Sequence, residues 1–173
     1  MGIGQGKVAW TPLHAASAYA TLAQFGRYEE PRLVREVGER VREGRGGMLE
    51  LDEIAVSRAL EGLERAANDP IHGTGHAIST VDGREPIFNV PGVSVWGKTG
   101  TATAPALLAP DEDGAERGVR SGDHSWYVTI ARGDESGRAY AVAVIMEYAG
   151  SGGRVSGPIA NQIVHALAAE GYF

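Results

Sequence analysis

Lys98 is the residue in this chain best suited to moving a proton or holding an anion. It is one of two lysines, the other being Lys7, while the remaining members of the sixteen basic residues are arginines. An ammonium on a flexible stem is a compact point charge, suited to proton shuttling or anion capture in ways a guanidinium is not. Lys98 is followed by Thr99, Gly100 and Thr101, so two hydroxyls and a residue without a side chain stand beside the charge. Gly97 and Gly100 bracket it. Glycines inside a strand weaken its packing, and one reason to keep them is that another backbone or a ligand must come close.

Other chemistry-bearing groups are weaker candidates. His72 and His76 are four apart and would share a face if their segment were helical, as zinc helices require. Gly73 and Gly75 oppose a rigid helix there, and no Glu or Cys stands at ligand spacing, so no metal is expected. Asp111-Glu112-Asp113 lacks the spaced ligands and glycine of a calcium loop and reads as a solvated turn. Asp123, His124 and Ser125 are hydrolase residue types, yet neighbouring strand residues point to opposite faces and these three cannot converge. Ser151-Gly152-Gly153-Arg154 has nucleophile spacing, but an arginine stays protonated and cannot act as base.

The elements that must position Lys98 follow from periodicity and breakers. Pro91-Gly92 marks a turn before a strand carrying Val93, Val95 and Trp96. Thr11 and Pro12 predict a helix start, with Leu13, Ala16, Ala20 and Ala23 on one stripe and Gly26 as C-cap. Tyr28 to Gly47 reads as a surface hairpin or ribbon, with Glu30 to Val34 as a short strand. A second helix from Asp52 places Val56, Leu60, Leu63 and Ala67 on its stripe and Glu61 and Arg65 opposite, ending at Asp69-Pro70. Ser125 to Ala131 and Arg138 to Glu147 predict two well-covered strands joined by a hairpin connection. Ser156 is expected to cap a last helix with Ile159, Ile163, Ala166 and Leu167 buried, ending at Gly171. Residues 104–122, rich in Pro, Asp, Glu, Gly and Arg, read as a long mobile loop.

Composition sets the outer bounds. With 173 residues, 43% hydrophobic and 22% charged, the chain is long enough for a single soluble domain spanning 1–173. The net charge of -6, with interspersed signs, argues against nucleic acid as a partner. There is no cysteine, so disulfide and thiolate chemistry are excluded. No apolar run reaches the length of a membrane span, and no signal peptide is encoded. Gly2-Ile3-Gly4-Gln5-Gly6 follows no strand, which speaks against a phosphate-binding loop.

Lys98-Thr99-Gly100-Thr101 matches the lysine-threonine-glycine motif of the acyl-serine penicillin-recognising enzymes. Gly2-Ile3-Gly4-Gln5-Gly6, Thr11-Pro12-Leu13 and Tyr19-Ala20-Thr21-Leu22-Ala23 together resemble the segment between the second and third motifs of class B penicillin-binding proteins. Asn68-Asp69-Pro70 with Gly73-Thr74-Gly75, and the pair Trp126-Tyr127, extend the resemblance over nearly the whole chain. It implies a mixed α/β (α+β) fold, an antiparallel sheet flanked by helices, forming the C-terminal part of a transpeptidase domain.

The same resemblance implies a D,D-transpeptidase that cross-links peptidoglycan stem peptides through an acyl-serine, binds β-lactams and needs no cofactor. It would act outside the cytoplasmic membrane, to which the parent protein would be anchored. In it Lys98 would aid proton transfer and attract the terminal carboxylate. Thr99 and Thr101 would hydrogen-bond that carboxylate, Gly100 would complete the substrate site, and the strand edge near Thr101 would supply an oxyanion-hole amide. Two family motifs are missing. A catalytic serine needs a lysine three residues later, but Gly4 and Val95 precede the two lysines at that spacing, and no Asn stands two after a Ser or Tyr. The expectation is a chain whose nucleophile lies in a preceding, absent part of the domain, inactive alone. A non-catalytic sensor or scaffold module and a serine β-lactamase relative remain the alternatives.

Overall fold

The computed structural model describes residues 9–32 and 44–173, together with the backbone of 36–37 and 40–41. The Gly2 to Gly6 segment, Lys7, Leu33 and Val34 lie outside the described residues. Among the described residues the order is α1 (Pro12–Ala23), β1 (Arg27–Glu29), β2 (Glu36–Val37), β3 (Arg40–Val41), β4 (Gly46–Met48), α2 (Glu53–Asn68), β5 (Ala77–Thr80), β6 (Gly83–Pro86), β7 (Val93–Pro110), β8 (Glu116–Gly133), β9 (Ala139–Met146) and α3 (Ser156–Ala169).

Long antiparallel strands form the centre, in the order β7-β8-β9. Side chains alternate across a strand, so consecutive β8 residues serve opposite layers. Tyr127 packs beside Gly157 of α3, whereas Ile130 and Arg132 lie with Ala20 and Ala23 of α1. Helices α1 and α3 therefore cover opposite faces. The main core cluster gathers Val95, Tyr127, Ala131, Val142 and Val144 from the sheet with Ala160 and Val164 from α3, Ala67 from α2, and Ile87 and Val90 from the approach to β7. The expected antiparallel sheet flanked by helices is what the chain forms.

Helix α1 starts as its sequence dictates: the Thr11 hydroxyl accepts from the His14 amide, and Pro12 opens the first turn. Its end differs from expectation. Gln24 is the C-cap, and the left-handed residues are Phe25 (φ 52°) and Gly26 (φ 99°), whose amide donates to Thr21 O at 2.9 Å. Its buried positions are Ala15 and Thr21, while Leu13 is exposed and lines a groove with Trp10, Leu49 and Leu51. Helix α2 follows its predicted stripe, with Asp52 capping and Arg65 bonded to Glu61 at 2.8 Å.

Three further expectations are corrected. Residues 104–122 are not a loose loop: they continue β7 and β8 as a two-stranded ribbon that runs past the pairing with β9, with register shifts at Leu107. Its turn is built on Asp111, whose carboxylate accepts from the Asp113 and Ala115 amides and pairs with Arg117 at 2.7 Å. Of the expected strand at Glu30 to Val34, Glu30 to Arg32 are not in a strand and Leu33 and Val34 lie outside the described residues; the strand formed is Arg27–Glu29, which pairs with β4. Ser156 does not cap α3 but lies inside it; Val155 takes the cap position, and Ser156, Gly157, Ala160 and Val164 are the buried residues, with Ile163 and Ala166 exposed.

Candidate functional site

Lys98 stands on β7, an edge strand among the described residues: β8 pairs with it on one side and no strand occupies the other. Lys98 lies opposite Val128, Thr99 opposite Tyr127, Gly100 opposite Trp126 and Thr101 opposite Ser125. Toward its start the outer side of β7 is met by α2, where the Asn68 amide donates to Val95 O at 2.9 Å. Backbone groups two residues apart in an antiparallel strand point the same way. Gly97, Thr99 and Thr101 thus turn theirs toward the side on which Val95 meets α2.

The ammonium of Lys98 is exposed and makes three hydrogen bonds, to Thr74 Oγ1 at 3.1 Å, Thr99 O at 3.1 Å and Thr99 Oγ1 at 3.3 Å. Thr99 Oγ1 in turn donates to Thr74 Oγ1 at 3.2 Å. A cation and two hydroxyls are collected at the exposed rim of the sheet. Thr101 sits two residues on, and its hydroxyl accepts from the Gly152 amide at 3.4 Å.

Thr74 belongs to a turn that two contacts pin down. The Gly73 amide donates to Asp69 O and the Gly75 amide to Ala66 O, both at 2.9 Å, which ties the turn to the end of α2. The Gly75 carbonyl accepts from the Tyr127 hydroxyl at 2.9 Å in the core. Burial pushes the Tyr127 hydroxyl pKa far above its ordinary value, with Tyr19 adding to the effect. The Asp69 carboxylate accepts from the His72 and Ile71 amides, and these bonds hold its pKa below the usual range. His72 and His76 lie in this turn and not on a helix, so the shared face a zinc pair needs does not arise.

Behind the rim, the loop leading into α3 crosses the strands. A side chain at Gly152 would run into the carbonyl oxygens of Trp126 and Gly100, so only glycine allows the approach. At Gly100 itself a side chain would meet the Trp126 side chain on the neighbouring strand. Ser125 and Ser156, both fully buried, bring their hydroxyls to 2.7 Å in one network whose carbonyl acceptors are Ser151 O and Ser125 O, and Ser125 Oγ accepts from the Ser156 amide. Ser125 points into this network while its neighbour His124 accepts from the Tyr148 amide at 3.1 Å, so the two do not converge on one centre.

Lys98, Thr99, Gly100 and Thr101, the residues expected from the motif, stand in order along the rim of β7. Thr74 and Gly152 have no part in that motif. Their signal was present as glycines in Gly73-Thr74-Gly75 and Gly152-Gly153, which mark backbone brought close to something else.

Comparison with known proteins gives one consistent answer. Residues 1–165 match the penicillin binding protein transpeptidase domain. The peptidoglycan D,D-transpeptidase MrdA of Haemophilus influenzae is 29% identical over 175 residues, covering 95% of this chain and 24% of that protein. Penicillin-binding protein A from M. tuberculosis, solved as an imipenem acyl-enzyme complex, superimposes with a TM-score of 0.63 at 24% identity, covering 95% of this chain and 32% of that one. Pseudomonas aeruginosa PBP2 in complex with WCK 5153 gives 0.64 at 22% identity, covering 95% and 31%. At that identity the two solved structures speak for the fold. The chain spans about a quarter of the curated relative and about a third of each solved chain.

Proposed function

We propose, starting from the fact that this chain belongs to the family of penicillin binding protein transpeptidase domains, that it forms the substrate-side wall of a peptidoglycan D,D-transpeptidase cleft. In the whole enzyme a serine would attack the D-Ala-D-Ala carbonyl of a stem peptide. The terminal D-Ala would leave, and the amine of a neighbouring stem would take over the acyl group. This chain contains no serine followed three residues later by lysine, so the attacking group would come from elsewhere in the parent protein.

The role of the present residues follows from what a D-Ala-D-Ala terminus offers: an extended backbone and a carboxylate. An extended peptide can add to the outer side of β7 by strand pairing, with main-chain hydrogen bonds fixing its register. Lys98 would draw in the carboxylate and serve proton transfer, and Thr99 and Thr101 would donate to its oxygens. Gly100 carries no side chain to obstruct the peptide. A backbone amide near Thr101 would face the oxyanion as it forms. A β-lactam carries a carboxylate and a strained acyl group and would use the same rim. We place the reaction on the outer side of the cytoplasmic membrane, where peptidoglycan lies. No helix among the described residues is long and apolar enough to cross a membrane.

The observation that carries this reading is the gathering of the Lys98 ammonium with the Thr74 and Thr99 hydroxyls on an edge strand. It is tested by titrating a stem pentapeptide ending in D-Ala-D-Ala, and the same peptide amidated at its C-terminus, into the labelled chain. The acid should bind in the range of about 1 mM and shift the amides of residues 98–101, the amide should bind several-fold more weakly, and Lys98→Ala should remove the difference. Fluorescent penicillin should leave no covalent label on this chain. Equal binding of acid and amide, or shifts confined to other surfaces, would sink the assignment.

A further inference from the structure

We infer that Thr74 is a positioning residue for Lys98, the contact that fixes where the ammonium stands relative to the outer side of β7. The inference rests on the reading of this rim as a carboxylate-binding cleft.

An ammonium has three N–H donors, and in Lys98 all three have acceptors. Two of these, Thr99 O and Thr99 Oγ1, belong to the next residue in the chain. Bonds to an adjacent residue move with the strand and leave the long side chain an arc of positions around it. Thr74 is the one acceptor that comes from a different element, 24 residues away. Three points from two elements define a position; two points from one do not. Thr74 Oγ1 also accepts from Thr99 Oγ1 at 3.2 Å, so the same oxygen sets the rotamer of the threonine that completes the cradle.

The anchor is itself immobilised. Gly73 leaves no room for a side chain beneath the carbonyls of Arg65 and Ala66, the last turn of α2. Gly75 leaves none against the Tyr127 ring. Tyr127 lies opposite Thr99 in the β7-β8 ladder and reaches across to hold the Gly75 carbonyl. The Thr74 turn and the Lys98 strand are referenced to one fully buried side chain, so the spacing between them is set by the core and not by solvent-exposed contacts.

The test uses the two-lysine composition: labelling lysine Cε with carbon-13 yields two signals, of which Lys98→Arg identifies one. In Thr74→Val, which swaps the hydroxyl for a methyl at nearly constant shape, Lys98 Cε should gain fast motion in relaxation measurements. Affinity for the D-Ala-D-Ala acid should fall roughly five- to tenfold. Thr74→Ser, which keeps the oxygen, should restore both. Unchanged Lys98 relaxation in Thr74→Val overturns the inference, as does a Thr74→Ser protein that behaves like Thr74→Val. Failure of the carboxylate reading shows differently: peptide affinity would then ignore Lys98→Ala, while the relaxation of Lys98 would still respond to Thr74→Val.

Discussion

Tyr127 and Gly75 are joined by a hydrogen bond of 2.9 Å that spans 52 residues of sequence and closes the core beneath the Lys98 rim. The tyrosine side chain is fully buried, lies edge-on to Phe88 with ring centroids 5.4 Å apart, and packs under Gly97 of β7 and Gly157 of α3. One side chain thereby sets the distances between the Thr74 turn, the site strand and the last helix.

Tyr127→Phe should keep the packing and remove the donor, leaving the Gly75 carbonyl buried without it. The expected cost is about 1–3 kcal/mol, read as a lower midpoint in chemical denaturation. The pH dependence has a definite sign. Burial raises the Tyr127 hydroxyl pKa in the folded chain, so above about pH 10 the unfolded chain loses this proton while the folded chain keeps it. Stability is complete below that pH and declines as pH rises, by about 1.4 kcal/mol per unit for each such proton. Tyr19, also raised by burial, adds to the decline. Tyr127→Phe should show a shallower alkaline slope, and equal slopes in both proteins would refute the assignment.

Gly152 and Gly150 should respond very differently to alanine. At Gly152 the added methyl meets the Trp126 and Gly100 carbonyl oxygens, and the loop must lift off the site strand. At Gly150 there is open space, and the cost is the left-handed backbone alone (φ 78°), roughly 1 kcal/mol. Gly152→Ala should lower stability by more than 2 kcal/mol, by order of magnitude, and alter the amide shifts of residues 99–102. Comparable, small losses at both positions would show that the loop yields without disturbing β7.

Ser125 and Ser156 form a closed network, so their losses should not add. Ser125→Ala takes the acceptor from the Ser156 amide and leaves the Ser156 hydroxyl with Ser125 O alone, and Ser156→Ala takes a hydroxyl partner from both Ser125 Oγ and Ser125 O. Each single change should cost about 1–3 kcal/mol, and the double variant should cost less than the sum. Strict additivity in a double-mutant cycle would mean that the two hydroxyls act separately.

Much of the architecture could be read from residue order alone. Thr11-Pro12 and Asp52 began helices because a side-chain oxygen satisfies amides that the first turn leaves unbonded, a purely local demand. The α2 stripe of Val56, Leu60, Leu63 and Ala67 was legible because burial of one face imposes a period of 3.6. The motif at Lys98 to Thr101 was legible for another reason: those residue types, in that order, are a chemical signature. Tertiary structure decided the rest. The 104–122 stretch has the composition of a loop, and its strands exist because β7 and β8 each template the other's extension, an effect no local propensity contains. Ser156 has the chemistry of a cap, yet it turns inward because Ser125 waits across the core. Thr74 is 24 residues from Lys98, and nothing in its neighbours names the partner. That meeting is produced by Tyr127 drawing the Gly73-Thr74-Gly75 turn down onto the sheet, and long-range contacts of this kind are visible only when the chain has folded.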